Sequence, residues 1–123
     1  MTMRKRSTTI TLTLRRQWFD LIKSGVKLEE YREVKETYIK RFCTEQNKDC
    51  PWLNPAGAIT FIIRKDFDTL VFTLGYPKKT DTERRLVFKN PKIEVRTGKP
   101  EWGAVPGQNY FVITWDKDEK SNV

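Results

Sequence analysis

The sequence predicts an α+β fold, a small curled β-barrel of about six strands with two flanking helices near the N-terminus. Three observations carry that prediction. Ile10, Leu12 and Leu14 alternate with Thr9, Thr11 and Thr13, the period-two pattern of a half-buried strand. Trp18, Leu21 and Ile22 then share one stripe at helical spacing. From Ala58 onward the apolar residues fall in short β-rich runs separated by Pro, Gly and Asn. Curling such a sheet into a closed or partly open barrel, with the helices outside, hides most strand edges.

The first strand ends at Leu14, and Arg15–Ser24 forms the first helix, with Gly25 standing where a C-terminal cap glycine belongs. Residues 27–34 make the second strand. Lys35 to about Gln46 makes the second helix, with Thr37 as its N-cap and Tyr38, Ile39, Phe42 and Cys43 on one side. The loop "NKDCPWLNPAG" follows. Strands are then expected at Ala58–Arg64, Thr69–Gly75, Arg85–Arg96 (with a break at Asn90-Pro91) and Asn109–Asp116. The long connection "TGKPEWGAVPGQ" precedes the last of them, and the polar tail lies beyond Asp116. The 123 residues suit a single domain, 1–123, with an ordered core of about 8–116.

Lys and Arg number 24 against 16 Asp and Glu, a net charge of +8 that attracts phosphate backbones or anionic surfaces. A solvated basic surface is the alternative. No apolar run approaches a membrane span, and the basic start, Met1–Arg6, leads into a Thr-rich strand rather than a signal sequence. A cytoplasmic protein without a membrane partner is expected. Cys43 and Cys50 are the two cysteines and there is no histidine, too few ligands for structural zinc. No metal and no cofactor are expected, and the cysteines are expected to be reduced thiols, a Cys43–Cys50 disulfide being the lesser alternative.

The stretch "GVKLEEYREV", residues 25–34, has an unusual alternation. Period two puts Leu28, Glu30, Arg32 and Val34 on one strand face and Lys27, Glu29, Tyr31 and Glu33 on the other. A carboxylate and a guanidinium therefore lie between aliphatic side chains. Glu30 and Arg32 are near enough to pair, either with each other as a structural clamp or through a polar ligand. Arg presents a planar fork for phosphate or a base carbonyl, Glu accepts from an amino or ring N–H, and Lys27 adds a mobile point charge.

Gly25, Lys27, Glu30 and Arg32 match the pattern Gly-x-Lys-x-x-Glu-x-Arg. With the preceding "WFDLIKS", the closing "GKPEWGAVPGQNYFVITW" and, more loosely, "FTLGY", the chain resembles the small ASCH domains of bacteria and their phages, relatives of the PUA domains. The resemblance covers most of the chain and implies a PUA-like β-barrel with a cleft lined by the motif's Lys, Glu and Arg. It implies RNA or a nucleoside or nucleotide as the partner. It also raises hydrolysis of acetylated cytidine or of RNA phosphodiesters. Lys27 matches the catalytic lysine of the acetylcytidine hydrolases and Arg32 their arginine, but Glu30 stands where they carry threonine. Their threonine chemistry does not carry over. In an enzyme of this kind Lys27 would stabilise an oxyanion and Glu30 would act as general base.

A binding module ranks first and a hydrolase second. Around the motif, Arg15, Arg16, Lys23, Lys35, Lys40 and Arg41 are candidates for a nucleic-acid rim, with Lys78, Lys79, Arg84 and Arg85 as a further cluster. Tyr31, Tyr76 and Trp102 are the candidate stacking or ligand-binding aromatics, while Trp18, Phe19 and Phe111 are assigned to the core. A protein–protein adaptor built on the loop around Trp52 is the third class considered.

Overall fold

Alternating threonine and aliphatic residues fold as strand β1 (Thr9–Leu14), with Ile10, Leu12 and Leu14 buried. The computed structural model describes residues 8–43 and 63–116. Helix α1 (Arg16–Lys23) follows, then β2 (Glu30–Glu33), α2 (Glu36–Phe42), β3 (Thr69–Leu74), β4 (Arg85–Lys89), β5 (Lys92–Thr97) and β6 (Asn109–Thr114). Single 3-10 turns lie at Thr82–Arg84 and Pro100–Trp102. Among the described residues the protein is thus α+β, with two helices and six strands in two three-stranded sheets, and no closed barrel is formed. No described helix is long and apolar enough to cross a membrane.

The chain divides into two compact units. The first comprises Met1–Glu29, Asp66–Lys92 and Thr114–Val123, and the second Glu30–Lys65 and Ile93–Ile113. In the first, β3 is the central strand, parallel to β1 and antiparallel to β4. The register sets Leu12, Phe72 and Leu86 side by side on one face, and all three are buried. Trp115 closes this core edge-on to Phe72 and stacked on Phe88, each 5.2 Å between ring centroids. Burying each such side chain stabilises the unit by roughly 1.5–3 kcal/mol. The expected break at Asn90-Pro91 is present: Asn90 adopts φ 54, and its side-chain amide donates to Asp116 Oδ2 at 2.7 Å.

In the second unit the sheet order is β2-β6-β5. Antiparallel pairing sets Arg32 opposite Phe111 and Tyr31 opposite Val112, so the two faces of β2 continue onto different residues of β6. On the Arg32 face α2 packs down, with Phe42 edge-on to Phe111 at 5.1 Å and stacked with Tyr38 at 5.6 Å. On the other face Tyr31 joins Tyr110, Val112 and Ala104. Both faces are covered, which is why β2 lacks one apolar and one polar side.

Three sequence expectations are corrected. The second strand is shorter than residues 27–34 because the backbone N–H groups of Val26 and Lys27 turn back to the Leu21 carbonyl. Helix α2 is entered at Lys35, with no side-chain cap, rather than at Thr37. Lys27, expected as a mobile charge, is a fully buried side chain. The helix extension to Gln46, Cys50, the loop around Trp52 and strand residues 58–62 lie outside the described residues. At their border, Ile63 bridges Cys43 and the Arg64 N–H donates to the Phe42 carbonyl.

Candidate functional site

The motif glycine has a local cause. Helix α1 ends at Ser24, and Gly25 follows at φ 86, the left-handed conformation that favours glycine. Its N–H donates to the Ile22 carbonyl and that of Val26 to the Leu21 carbonyl, the paired bonds of a Schellman turn. A further bond, from the Lys27 N–H to the same Leu21 carbonyl at 3.0 Å, fixes the lysine backbone directly after the turn. Its side chain is only 1% exposed, and Nζ lies 5.0 Å from the centre of the Trp18 ring. The cation–π contact gives the ammonium an attractive neighbour inside the first unit. The sequence did not single out Trp18 for this role, since its place on the helix stripe is that of a core residue.

In the second unit the structure brings Glu30 and Arg32 together. Arg32 places Nη2 2.9 Å and Nε 3.1 Å from Glu30 Oε2, and donates from Nη1 to Tyr38 Oη at 3.1 Å. The side chains are 9% and 14% exposed, so the pair is largely withdrawn from water. One carboxylate oxygen takes two guanidinium nitrogens, and the hydroxyl of Tyr38 ties the same guanidinium to α2. Tyr38 is a site residue that period-two reasoning missed. Its helical spacing with Ile39 and Phe42 reads as core, and only the fold carries it over Arg32.

The remaining candidates separate. Tyr31 stacks obliquely on Tyr110 at 5.7 Å and accepts the Lys99 backbone N–H at 2.9 Å, so it anchors the connection to β6. Gly98 sits against that ring, where a Cβ would come within 2.5 Å of it. Trp102 is half-buried with the Lys99 ammonium over its ring at 4.9 Å, whereas Tyr76 stands out in solvent. Of the rim, Arg16 pairs with Asp20 at 3.6 Å, Lys35 with Glu33 at 3.3 Å and Lys40 with Glu36 at 3.3 Å, which mutes their charge. Arg15, Lys23 and Arg41 are exposed. Cys43 is a buried free thiol whose pKa is pushed up by desolvation. Among the described residues no cluster of three or more His, Cys, Asp or Glu is placed to hold a metal.

No protein-family model matches the chain, and no curated protein or solved structure matches it.

Proposed function

We propose that the chain is an ASCH-type, PUA-like domain that binds RNA or a nucleoside or nucleotide through the Glu30–Arg32 pair of its Lys-Glu-Arg motif. The curling of its strands into a small barrel belongs to the same reading. The observation that supports it is the Glu30–Arg32 pair, two charges set opposite Ile113 and Phe111 of β6 and largely removed from water. An ion pair buried to this degree adds little net stability over apolar residues of the same volume, so stability alone is a weak reason to keep it. A nucleobase gives it a use: the carboxylate accepts from an amino group and the guanidinium donates to a carbonyl or phosphate. The +8 charge supplies long-range attraction for the same ligand class.

The test is stabilisation by ligand. Cytidine, cytidine monophosphate, acetylated cytidine and a short single-stranded RNA are compared by thermal unfolding. A ligand at about 100 times its Kd raises stability by about 2.7 kcal/mol. Glu30→Gln and Arg32→Lys should reduce that stabilisation. If both variants lose stability while affinity per folded molecule is unchanged, the pair is a clamp between β2 and α2 and the proposal fails. Assaying the acetylated cytidine and the RNA for cleavage covers hydrolysis with Lys27 and Glu30 catalytic, in which Glu30→Gln would lose turnover and keep ligand.

A further inference from the structure

We infer that the loop from Gly75 to Arg84 in the first unit is a separate contact for single-stranded nucleic acid, with Tyr76 as its stacking platform. The ligand class rests on the reading proposed above, but the residues differ. Tyr76 is 92% exposed, the most open of the exposed large apolar side chains among the described residues. An aromatic ring left in water contributes nothing to the core, yet the backbone beneath it is firmly tied. Gly75 takes φ 65, and its carbonyl accepts the Thr73 hydroxyl at 2.8 Å. On the far side Arg85 Nη2 donates to the Pro77 and Lys78 carbonyls, each at 3.2 Å, and the Asp81 N–H returns to the Lys78 carbonyl at 2.9 Å. Pro77 removes further freedom.

The ring is therefore presented from an ordered base, which lowers the entropy lost when a ligand stacks on it. Lys78 and Lys79 follow at once and are exposed. Arg84 is exposed too, but Asp81 lies 3.4 Å from its Nε, so the two lysines supply most of the loop's positive field. A base on the ring with its flanking phosphates on the ammoniums satisfies this arrangement, and every base has a face to offer. One ring on a polar loop offers a membrane little apolar area to bury.

The experiment is anisotropy titration of a labelled, uridine-rich single-stranded RNA at several salt concentrations. Tyr76→Ala should unfold like wild type and bind about ten-fold or more weakly, and Tyr76→Phe should bind almost normally. Converting Lys78 and Lys79 together to glutamine should lower the slope of log K against log salt by about 1.4, from about 0.7 per phosphate. Wild-type affinity in Tyr76→Ala overturns the inference, whatever cytidine does to stability, and so does a wild-type protein that binds no RNA. Weakened RNA binding by Tyr76→Ala, in a protein whose affinity for RNA and the cytidine ligands is unchanged by Glu30→Gln and Arg32→Lys, upholds the loop and defeats the Lys-Glu-Arg site.

Discussion

Arg32→Ala removes three polar contacts at once, two to Glu30 Oε2 at 2.9 and 3.1 Å and one to Tyr38 Oη at 3.1 Å. What remains is a Glu30 side chain 9% exposed, stripped of the guanidinium. Removing one partner of a buried pair costs about 3–5 kcal/mol, because the other charge stays desolvated. The protein carries its own control. On β5, Glu94 and Arg96 have the same two-residue spacing and a matching Nε–Oε2 separation of 3.1 Å, but the side chains are 60% and 38% exposed. An exposed pair of this kind contributes about 0–1 kcal/mol. Urea unfolding should therefore place Arg32→Ala about 2 kcal/mol or more below Arg96→Ala. At a slope of about 1.5 kcal/mol/M that is a midpoint difference of about 1.3 M or more. A double replacement, Glu30→Gln with Arg32→Met, should recover part of the loss, since neither charge is then stranded. Should the two arginine variants unfold within about 1 kcal/mol of each other, burial does not govern the pair and the reasoning is refuted.

Lys27→Ala should cost about 2–5 kcal/mol by thermal or urea unfolding, the scale for deleting a buried long side chain, and Lys27→Met should recover much of it. Equal losses in the two variants would show that charge, not volume, sets the cost. Gly98→Ala should destabilise by about 1–3 kcal/mol, because its Cβ would meet the Tyr31 ring at 2.5 Å and the Ala104 Cβ at 2.9 Å; Tyr31→Leu in the same chain should relieve part of that. Burial raises the Cys43 pKa above its ordinary 9.0. A group raised in the folded state contributes stability that is complete below the unfolded pKa and fades as pH climbs through the folded value. Wild type should thus lose more stability than Cys43→Ala as pH rises above 9.0, measured as the difference between the two urea midpoints.

Much of this was legible from periodicity. The Thr/Ile/Leu alternation located β1, the spacing of Trp18, Leu21 and Ile22 located α1, and Asn90-Pro91 marked the break between β4 and β5. Such features are local and repeat with a fixed period. The failures came where a tertiary choice overrides the pattern. Lys27 lies on a stretch that alternates like a strand, but Gly25 before it draws the next two N–H groups back onto α1. No pattern distinguishes a lysine with a buried stem from one in water. Glu30 and Arg32 stood out because two charges broke an apolar face, whereas Tyr38 obeyed its helix stripe and so carried no signal. Tyr31 reads in the sequence as a candidate stacking aromatic, but it packs against Tyr110, and its bond to Lys99 joins residues 68 positions apart.

The two units are interleaved along the chain, which passes between them four times, after Glu29, Lys65, Lys92 and Ile113. In the first unit Thr9 pairs with Thr69, sixty positions later, and the whole opening stretch of the second unit is contained in that span. Neither unit is a continuous piece that could be cut out and expressed. The parallel β1–β3 pairing must await most of the polypeptide, and closing so long a span is an entropic cost met before any strand contact rewards it. During synthesis, β1 and α1 emerge well ahead of the strand that completes their sheet. Their apolar faces stay uncovered over that interval, so slow refolding and aggregation from partly made chains are the expected liabilities of this chain order.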